Sequence, residues 1–263
     1  MADIDLSGLK LPDLAGKIVL VTGASTGIGA AVATAFAAQG CKVGVHYNSS
    51  REPAERVAAG ITDAGGEAFL VQGDVSRTEV VSRIVDDTAS HFGGLDGLVN
   101  NAGLMLGRVS YAEMTDAQYD AVMDLNGRSV VMASKAAIPH LRARGGGFII
   151  NTSSIAARNG GSGGAGLYAS SKAFVSNVTR GLARELIGDN IRVNAVAPGF
   201  IDTAFHERYS TDQQRAAAVA TIPQGRTGTA QDCVGAYLFL ATPALSGYVV
   251  GQVIEVNGGQ LMP

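Results

Sequence analysis

Tyr168 and Lys172 stand four residues apart in the run Tyr168-Ala169-Ser170-Ser171-Lys172. On a helix that spacing puts a phenol and an ammonium on one face. A free tyrosine titrates near pH ~10, too high for an efficient base at neutral pH. A neighbouring ammonium stabilises the phenolate, so the pair is expected to bring the phenol down toward the range of a proton-transfer group. The spacing is common by chance, and its meaning depends on its surroundings. Ser154 lies fourteen residues earlier, just beyond an apolar run, Phe148 to Thr152, that reads as a strand. Asn126, in Met123-Asp124-Leu125-Asn126, sits in a long helical pattern upstream.

A second group of residues suits an anion. Thr22-Gly23-Ala24-Ser25-Thr26-Gly27-Ile28-Gly29 follows the first apolar run and opens an Ala-rich helical segment. Gly23 permits the sharp turn, Gly27 leaves room for a diphosphate against the backbone, and Gly29 lets the helix pack closely. Free N–H groups and the helix dipole at that end favour negative charge.

The elements that must position these residues alternate along the chain. Ile18–Thr22, Lys42–Tyr47, Ala68–Gly73, Gly97–Asn100, Phe148–Thr152, Arg192–Val196 and Gln252–Val256 read as strands. Several are apolar throughout, as strands covered on both faces are. Helical patterns cover Ala30–Gln39, Pro53–Ala64, Arg77–Phe92, Asp116–Arg142, Ser170–Leu186 and Ala230–Ala241. The alternation predicts an α/β Rossmann fold, a doubly wound parallel sheet of seven strands with helices on both faces. No linker or repeat divides the chain, so residues 1–15 are expected to form a loose arm and residues 16–263 one domain. Within that domain, residues 199–228 form a long insertion of the kind that closes over ligands.

Bulk properties exclude other classes. The 263 residues are 46% hydrophobic and carry a net charge of −3 without a long basic run. Nucleic acid and anionic membrane are therefore poor partners, and no apolar stretch approaches the ~20 residues of a membrane helix. Cys41 and Cys233 lack ligand spacing, as do the scattered His46, His91, His140 and His206, so no metal is expected. Each histidine reads as a surface or packing residue. A soluble, cytoplasmic protein is the expectation.

The glycine spacing G-x-x-x-G-x-G, the Tyr168/Lys172 pair, Asn100-Asn101-Ala102-Gly103 and Pro198-Gly199-Phe200-Ile201-Asp202-Thr203 together resemble the short-chain dehydrogenase/reductase family. The resemblance runs from about Leu14 to Gly259. It implies hydride transfer between a nicotinamide and a ketone or secondary alcohol, with Tyr168 as proton donor or acceptor and Lys172 holding the cofactor ribose. By the same resemblance Ser154, with Ser153 as the neighbouring alternative, bonds the substrate oxygen. Asn126 then completes a tetrad by holding a water that connects the lysine to solvent. Cofactor contacts are implied for Gly23, Ser25, Thr26, Gly27, Ile28, Gly29, Asp74, Val75, Asn101, Ala102, Gly103, Tyr168, Lys172, Pro198, Gly199, Ile201 and Thr203. At the end of the second strand, Tyr47, Asn48, Ser49 and Arg51 precede the first acid, Glu52. An acid at the strand end is what repels a 2′-phosphate, so NADP is favoured over NAD, although Thr26 replaces a basic residue often found before the second glycine.

The pattern is closest to 3-oxoacyl-acyl-carrier-protein reductases and related sugar or polyol dehydrogenases. Arg142 and Arg144 are candidates for meeting an acidic carrier, but Asp189 and Asn190 stand where a further basic residue is expected. A free small ketone or alcohol therefore ranks at least equal, with Met105, Leu106, Phe200, Phe205 and His206 as a partly apolar substrate wall. A non-catalytic nucleotide-binding regulator is the competing class, and the retention of all four tetrad residues argues against it. The resemblance also implies a homotetramer, joined through the helices bearing Asn126 and Tyr168 and through the strand within Gly247–Gly259. Leu261 and Met262 lie just beyond that strand.

Overall fold

The computed structural model describes residues 8–209 and 211–262, and for His206 and Glu207 the backbone only. Strands β1 (Ile18–Val21), β2 (Lys42–Tyr47), β3 (Glu67–Gln72), β4 (Gly97–Asn100), β5 (Gly147–Thr152), β6 (Ile191–Pro198) and β7 (Val253–Val256) form one sheet. Its order is β3-β2-β1-β4-β5-β6-β7, and every pairing is parallel. The helices are α1 (Gly27–Ala38), α2 (Arg51–Asp63), α3 (Thr78–Phe92), α4 (Asp116–Met123), α5 (Ser129–Ala143), α6 (Ala156–Asn159), α7 (Gly166–Leu186), α8 (Ala204–Tyr209), α9 (Asp212–Ala220), α10 (Ala230–Ala241) and α11 (Pro243–Ser246).

Side chains alternate across a strand, and β1 shows the consequence. Val19 and Val21 enter one core with Phe36 of α1 and Tyr237 of α10, while Ile18 and Leu20 enter the other with residues of α3, α5 and α7. The sheet is thus buried on both faces, which explains why its strands are legible as unbroken apolar runs. Strand order reverses between β1 and β4, and a crevice opens there at the carboxyl ends, where ligands bind in this architecture. A buried polar ladder fixes the helices that flank it. Asn100 Nδ2 donates to Asn151 Oδ1 (2.9 Å) and Ser134 Oγ (3.2 Å), and Asn151 Nδ2 donates to Thr179 Oγ1 (2.9 Å). These bonds tie β4 and β5 to α5 and α7.

Three boundaries differ from the sequence expectation. The segment Asp116–Arg142 is not one helix, because a π-helical turn, Asp124–Arg128, separates α4 from α5. The wider turn contains Asn126, whose buried side chain bonds both backbone groups of Leu104. Helix α7 starts at Gly166, ahead of the expected Ser170, so Tyr168 lies within its first turn. At the other end, the expected arm up to residue 15 is partly integrated. Leu11 and Leu14 are buried, and the Leu11 N–H donates to Gln39 Oε1 at 2.9 Å. Residues 1–7 of that arm lie outside the described residues. The insertion at 199–228 carries α8 and α9, and its base is closed by Gly228 N–H donating to Phe200 O and Asp202 N–H to Gly228 O.

Candidate active site

The loop between β1 and α1 is shaped for an anion. Gly23 (φ +64°) and Gly27 (φ +58°) occupy the left-handed region that L side chains avoid. A Cβ on Gly29 would collide with the Gly23 carbonyl and the Asn101 amide. Thr26, at the helix N-cap, makes no side-chain capping bond, so the first N–H groups of α1 stay available to a ligand. Three braces hold the loop. Asn101 Nδ2 donates to the carbonyls of Thr22 and Gly23, both at 3.0 Å. Thr22 Oγ1 accepts the N–H groups of Asn101 and Ala102. His46 Nδ1 accepts the Gly23 N–H (2.9 Å), while its Nε2 faces the Gly73 carbonyl at 2.9 Å. That pair of contacts makes His46 a neutral Nε2–H tautomer, and burial holds it well below the usual imidazole range, at about 4.

A cleft of about 1260 Å³ runs from this loop past Ser154, Tyr168 and Lys172 to the 199–228 insertion. Its wall includes all the expected cofactor contacts except two. Tyr47 follows His46 on β2 and so points to the opposite face of the sheet, where it is buried. Arg51 opens α2 and turns along it, pairing with Glu55 at 2.7 Å. The end of β2 instead offers His46, Asn48, Ser49 and Ser50 to the cleft.

Lys172 is buried, and its Nζ donates to the Thr152 carbonyl at 2.8 Å. Burial brings its ammonium down to about 8. The Tyr168 phenol moves the other way. Its ring is within reach of Lys172 Nζ, 5.9 Å from the centroid, yet burial pushes the hydroxyl up to about 12 while a hydrogen bond with Ser154 pulls against the rise. The expected lowering by the ammonium is therefore not found, because desolvation outweighs any help to the phenolate. Ser153 and Ser154 separate clearly. Ser153 Oγ donates to the Lys172 carbonyl (3.0 Å) and contacts Ser176 Oγ (2.7 Å), locked against α7. Ser154 lies on the cleft wall, beside Tyr168. Asn126 is not on the wall but behind it: Oδ1 accepts the Leu104 N–H (3.0 Å) and Nδ2 donates to the Leu104 carbonyl (2.9 Å). A Cβ on Gly103 would fall 2.7 Å from Asn126 Oδ1 and 3.0 Å from Lys172 Nζ, so this bare backbone lets the two polar groups converge.

The sequence profile of a family described as enoyl-(acyl carrier protein) reductase matches residues 23–260. A 3-oxoacyl-[acyl-carrier-protein] reductase from Synechocystis sp. is 38% identical over 249 residues, 95% of this chain and 98% of that protein. The chain belongs to the short-chain dehydrogenase/reductase family. Its fold is likewise that of solved members. The NADH-dependent reductase A1-R' complexed with NAD superposes with a TM-score of 0.86 at 41% identity, covering 96% of this chain and 100% of that one. A short-chain dehydrogenase from Burkholderia cenocepacia J2315 in complex with NADP gives 0.87 at 38% identity, covering 94% and 99%. This short-chain dehydrogenase/reductase is thus an NAD(P)-dependent oxidoreductase acting on CH–OH or keto groups. The bare glycine cradle and the uncapped start of α1 fit such a dinucleotide.

Two arginines expected at a carrier-docking rim are placed elsewhere. Arg142 makes two bonds to Asp189 Oδ2 (2.8 and 2.7 Å), and Arg144 reaches both oxygens of Asp96. Arg142 lies in the last turn of α5 and Arg144 just after it, ahead of β5, at the amino ends of the strands, opposite the cleft. Met105, Leu106, Phe200 and Phe205 do line the cleft, and the side chain of His206 lies outside the described residues. Among the cleft residues that carried no sequence expectation are two arginines, Arg108 and Arg208. Nothing in the local sequence distinguishes either from an ordinary loop or helix arginine.

Proposed function

We propose that this chain interconverts a small ketone and its secondary alcohol, with Tyr168 as the proton donor in the reducing direction. The observation that carries the reading is the meeting of Ser154, Tyr168 and Lys172 on one wall of the cleft that begins at the glycine loop. The dinucleotide supplies or accepts the hydride when bound. Gly23, Ser25–Gly29, Asn48, Ser49, Asp74, Val75, Asn101–Gly103, Pro198, Gly199, Ile201 and Thr203 would hold it. The hydroxyls of Ser154 and Tyr168 hold the substrate oxygen, and Tyr168 gives its proton to that oxygen as negative charge develops there. A neutral phenol is the form required of a donor, and burial keeps it neutral at physiological pH. Lys172 supplies positive charge beside the phenol, which favours loss of its proton. Asn126 acts through Leu104, fixing the backbone that lies over Lys172.

NADP remains the favoured cofactor, because no acid among the described residues faces the cleft at the end of β2. Arg51 no longer supports it; the hydroxyls of Ser49 and Ser50 would take that role. A cytoplasmic homotetramer is part of the same proposal. Tyr119 on α4, Phe174 on α7 and Tyr248 before β7 are exposed apolar residues on the surfaces that the resemblance implicates. No helix among the described residues is long and apolar enough to cross a membrane. Replacement of Tyr168 by Phe tests the central claim. It should lower turnover roughly 10²- to 10⁴-fold, the span of general acid–base catalysis, and leave NAD(P)H binding by fluorescence titration intact. Near-normal turnover in Tyr168→Phe would sink the assignment.

A further inference from the structure

Many arginines in this fold are neutralised by carboxylates: Arg51, Arg77, Arg83, Arg128, Arg142 and Arg144 each pair with an acid. The two arginines on the cleft wall are different. Arg108, half-buried in the loop after β4, spends Nε on the Tyr209 carbonyl (2.9 Å) and Nη1 on the carbonyls of Gly163 (2.8 Å) and Ser162 (3.1 Å). All of these acceptors are neutral, so its charge is held in place without being cancelled. Arg208, exposed on α8, has its guanidinium over the Tyr209 ring at 6.0 Å from the centroid. No acid among the described residues pairs with it.

Both guanidinium groups are connected to the proposed proton donor through a chain of aromatic rings on the cleft wall. The Tyr168 ring lies 5.5 Å from that of Phe205, which lies 5.1 Å from that of Tyr209. Arg208 adjoins Tyr209 in the chain, and Arg108 is bonded to its carbonyl. Arg108 also grips Ser162 and Gly163, just ahead of the α7 turn that carries Tyr168. The acids on the cleft wall are elsewhere or occupied. Asp74 is at the end of β3, bonded to Ser76, and Asp124 is paired with Arg128 at 2.6 Å. The glycine loop that would receive the dinucleotide's diphosphate is part of the β1–α1 connection, so that group does not account for this charge.

We propose that the substrate is a small carbonyl compound bearing a carboxylate, which Arg208 and Arg108 bind beyond Tyr168. The inference rests on the carbonyl-reducing reading above. A planar guanidinium with unused N–H groups matches a carboxylate in charge and shape. Charge on the cleft wall, from α8 and from the loop that packs against the start of α7, suits a small molecule held in the cleft. An acidic carrier protein would instead need cations on the outer rim.

The experiment compares matched substrates that differ in this one charge: 5-oxohexanoate against its methyl ester, 4-oxopentanoate against its methyl ester, and a keto-aldonate against a neutral ketohexose. Each is assayed with NADH and NADPH. The wild-type enzyme should show kcat/KM at least tenfold higher for the acids. Arg208→Gln should raise KM for the acids roughly tenfold to a hundredfold, the worth of a hydrogen bond to a charged group, with kcat and the neutral partners little changed. Added salt should weaken the wild-type preference. Equal kcat/KM for acid and neutral partner overturns the charge inference alone, since reduction itself then stands. A higher kcat/KM for a carrier-bound 3-oxoacyl thioester than for any acid also overturns it. Loss of activity toward acids and neutral partners alike in Arg208→Gln assigns that residue a structural role and counts against it. No turnover of any of the six compounds overturns the carbonyl-reducing reading and this inference together.

Discussion

His46 offers a test in which the structure sets the size of the effect. The ring is buried, with Nδ1 taking the Gly23 N–H and Nε2–H meeting the Gly73 carbonyl. It cannot accept a proton without turning Nδ1 into a second donor against an N–H. Its folded value is therefore pushed down from 6.5 to about 4, with burial the first cause, opposed by the Gly73 bond and the charge of Asp74. A depressed value in a base means that the unfolded chain binds the proton first as pH falls. The contribution to stability is complete above pH ~6.5 and is lost as pH drops toward the folded value. At about 1.4 kcal/mol per unit, the whole loss is about 3 kcal/mol, and about 2 kcal/mol of it falls between pH 7 and 5. His46→Asn cannot titrate in this range and, being shorter, keeps at most one of the two bonds. It should cost about 1–3 kcal/mol at pH 7, and the gap to wild type should shrink by about 2 kcal/mol at pH 5. Urea unfolding followed by far-ultraviolet circular dichroism, at one protein concentration and both pH values, measures that difference of differences. Titrations common to both proteins cancel. A gap that stays constant between pH 7 and 5 refutes the reasoning, because His46 would then not be held neutral by the loop it braces.

Three other outcomes follow from the same site. Lys172 is brought down to about 8 by burial, so its charge is present below that pH and lost above it. The pH profile of kcat/KM for NAD(P)H, which reports the groups of the free enzyme, should therefore decline above pH ~8, and a flat profile to pH 10 would show that the charge is not used. Gly29→Ala inserts a Cβ against the Gly23 carbonyl and the Asn101 amide. Overpacking of this kind typically costs about 1–3 kcal/mol, so the dissociation constant for NAD(P)H should rise roughly tenfold or more; unchanged binding would mean the loop yields freely. Light scattering on the purified chain should give four times the monomer mass, and a Tyr248→Asp change should reduce it; a monomer at micromolar concentration would remove the tetramer from the proposal.

The sheet was legible because burial on both faces writes itself into sequence as short apolar runs bounded by glycine, and every strand falls within a few residues of its expected place. Where the expectation failed, a distant contact had decided the local geometry. The single helix expected over Asp116–Arg142 is interrupted at Asn126 because that side chain reaches Leu104, which no helical periodicity encodes. Leu11 and Leu14 looked like scattered residues in a charged terminus. They are core residues, buried in the cluster that holds Val19 and Val21 of β1 and Phe36 of α1.

For the site, legibility followed the type of constraint. Glycines at fixed spacing and the Tyr168/Lys172 pair are visible because the proposed chemistry depends on their separation along one element. Ser153 and Ser154 could not be told apart by spacing; the choice turns on which hydroxyl α7 consumes, and Lys172 and Ser176 take Ser153. Arg51 misled for the converse reason. It stands at the right place in the chain, but Glu55 one turn later draws it along α2 and away from the cleft. Arg108 was invisible because its orientation depends on carbonyls fifty to a hundred residues distant. The same division separates shared reaction from individual substrate: the proposed proton-transfer pair is encoded within one helical turn, whereas the charge that would select a carboxylate is assembled from the β4 loop and α8, and appears only once the chain has folded.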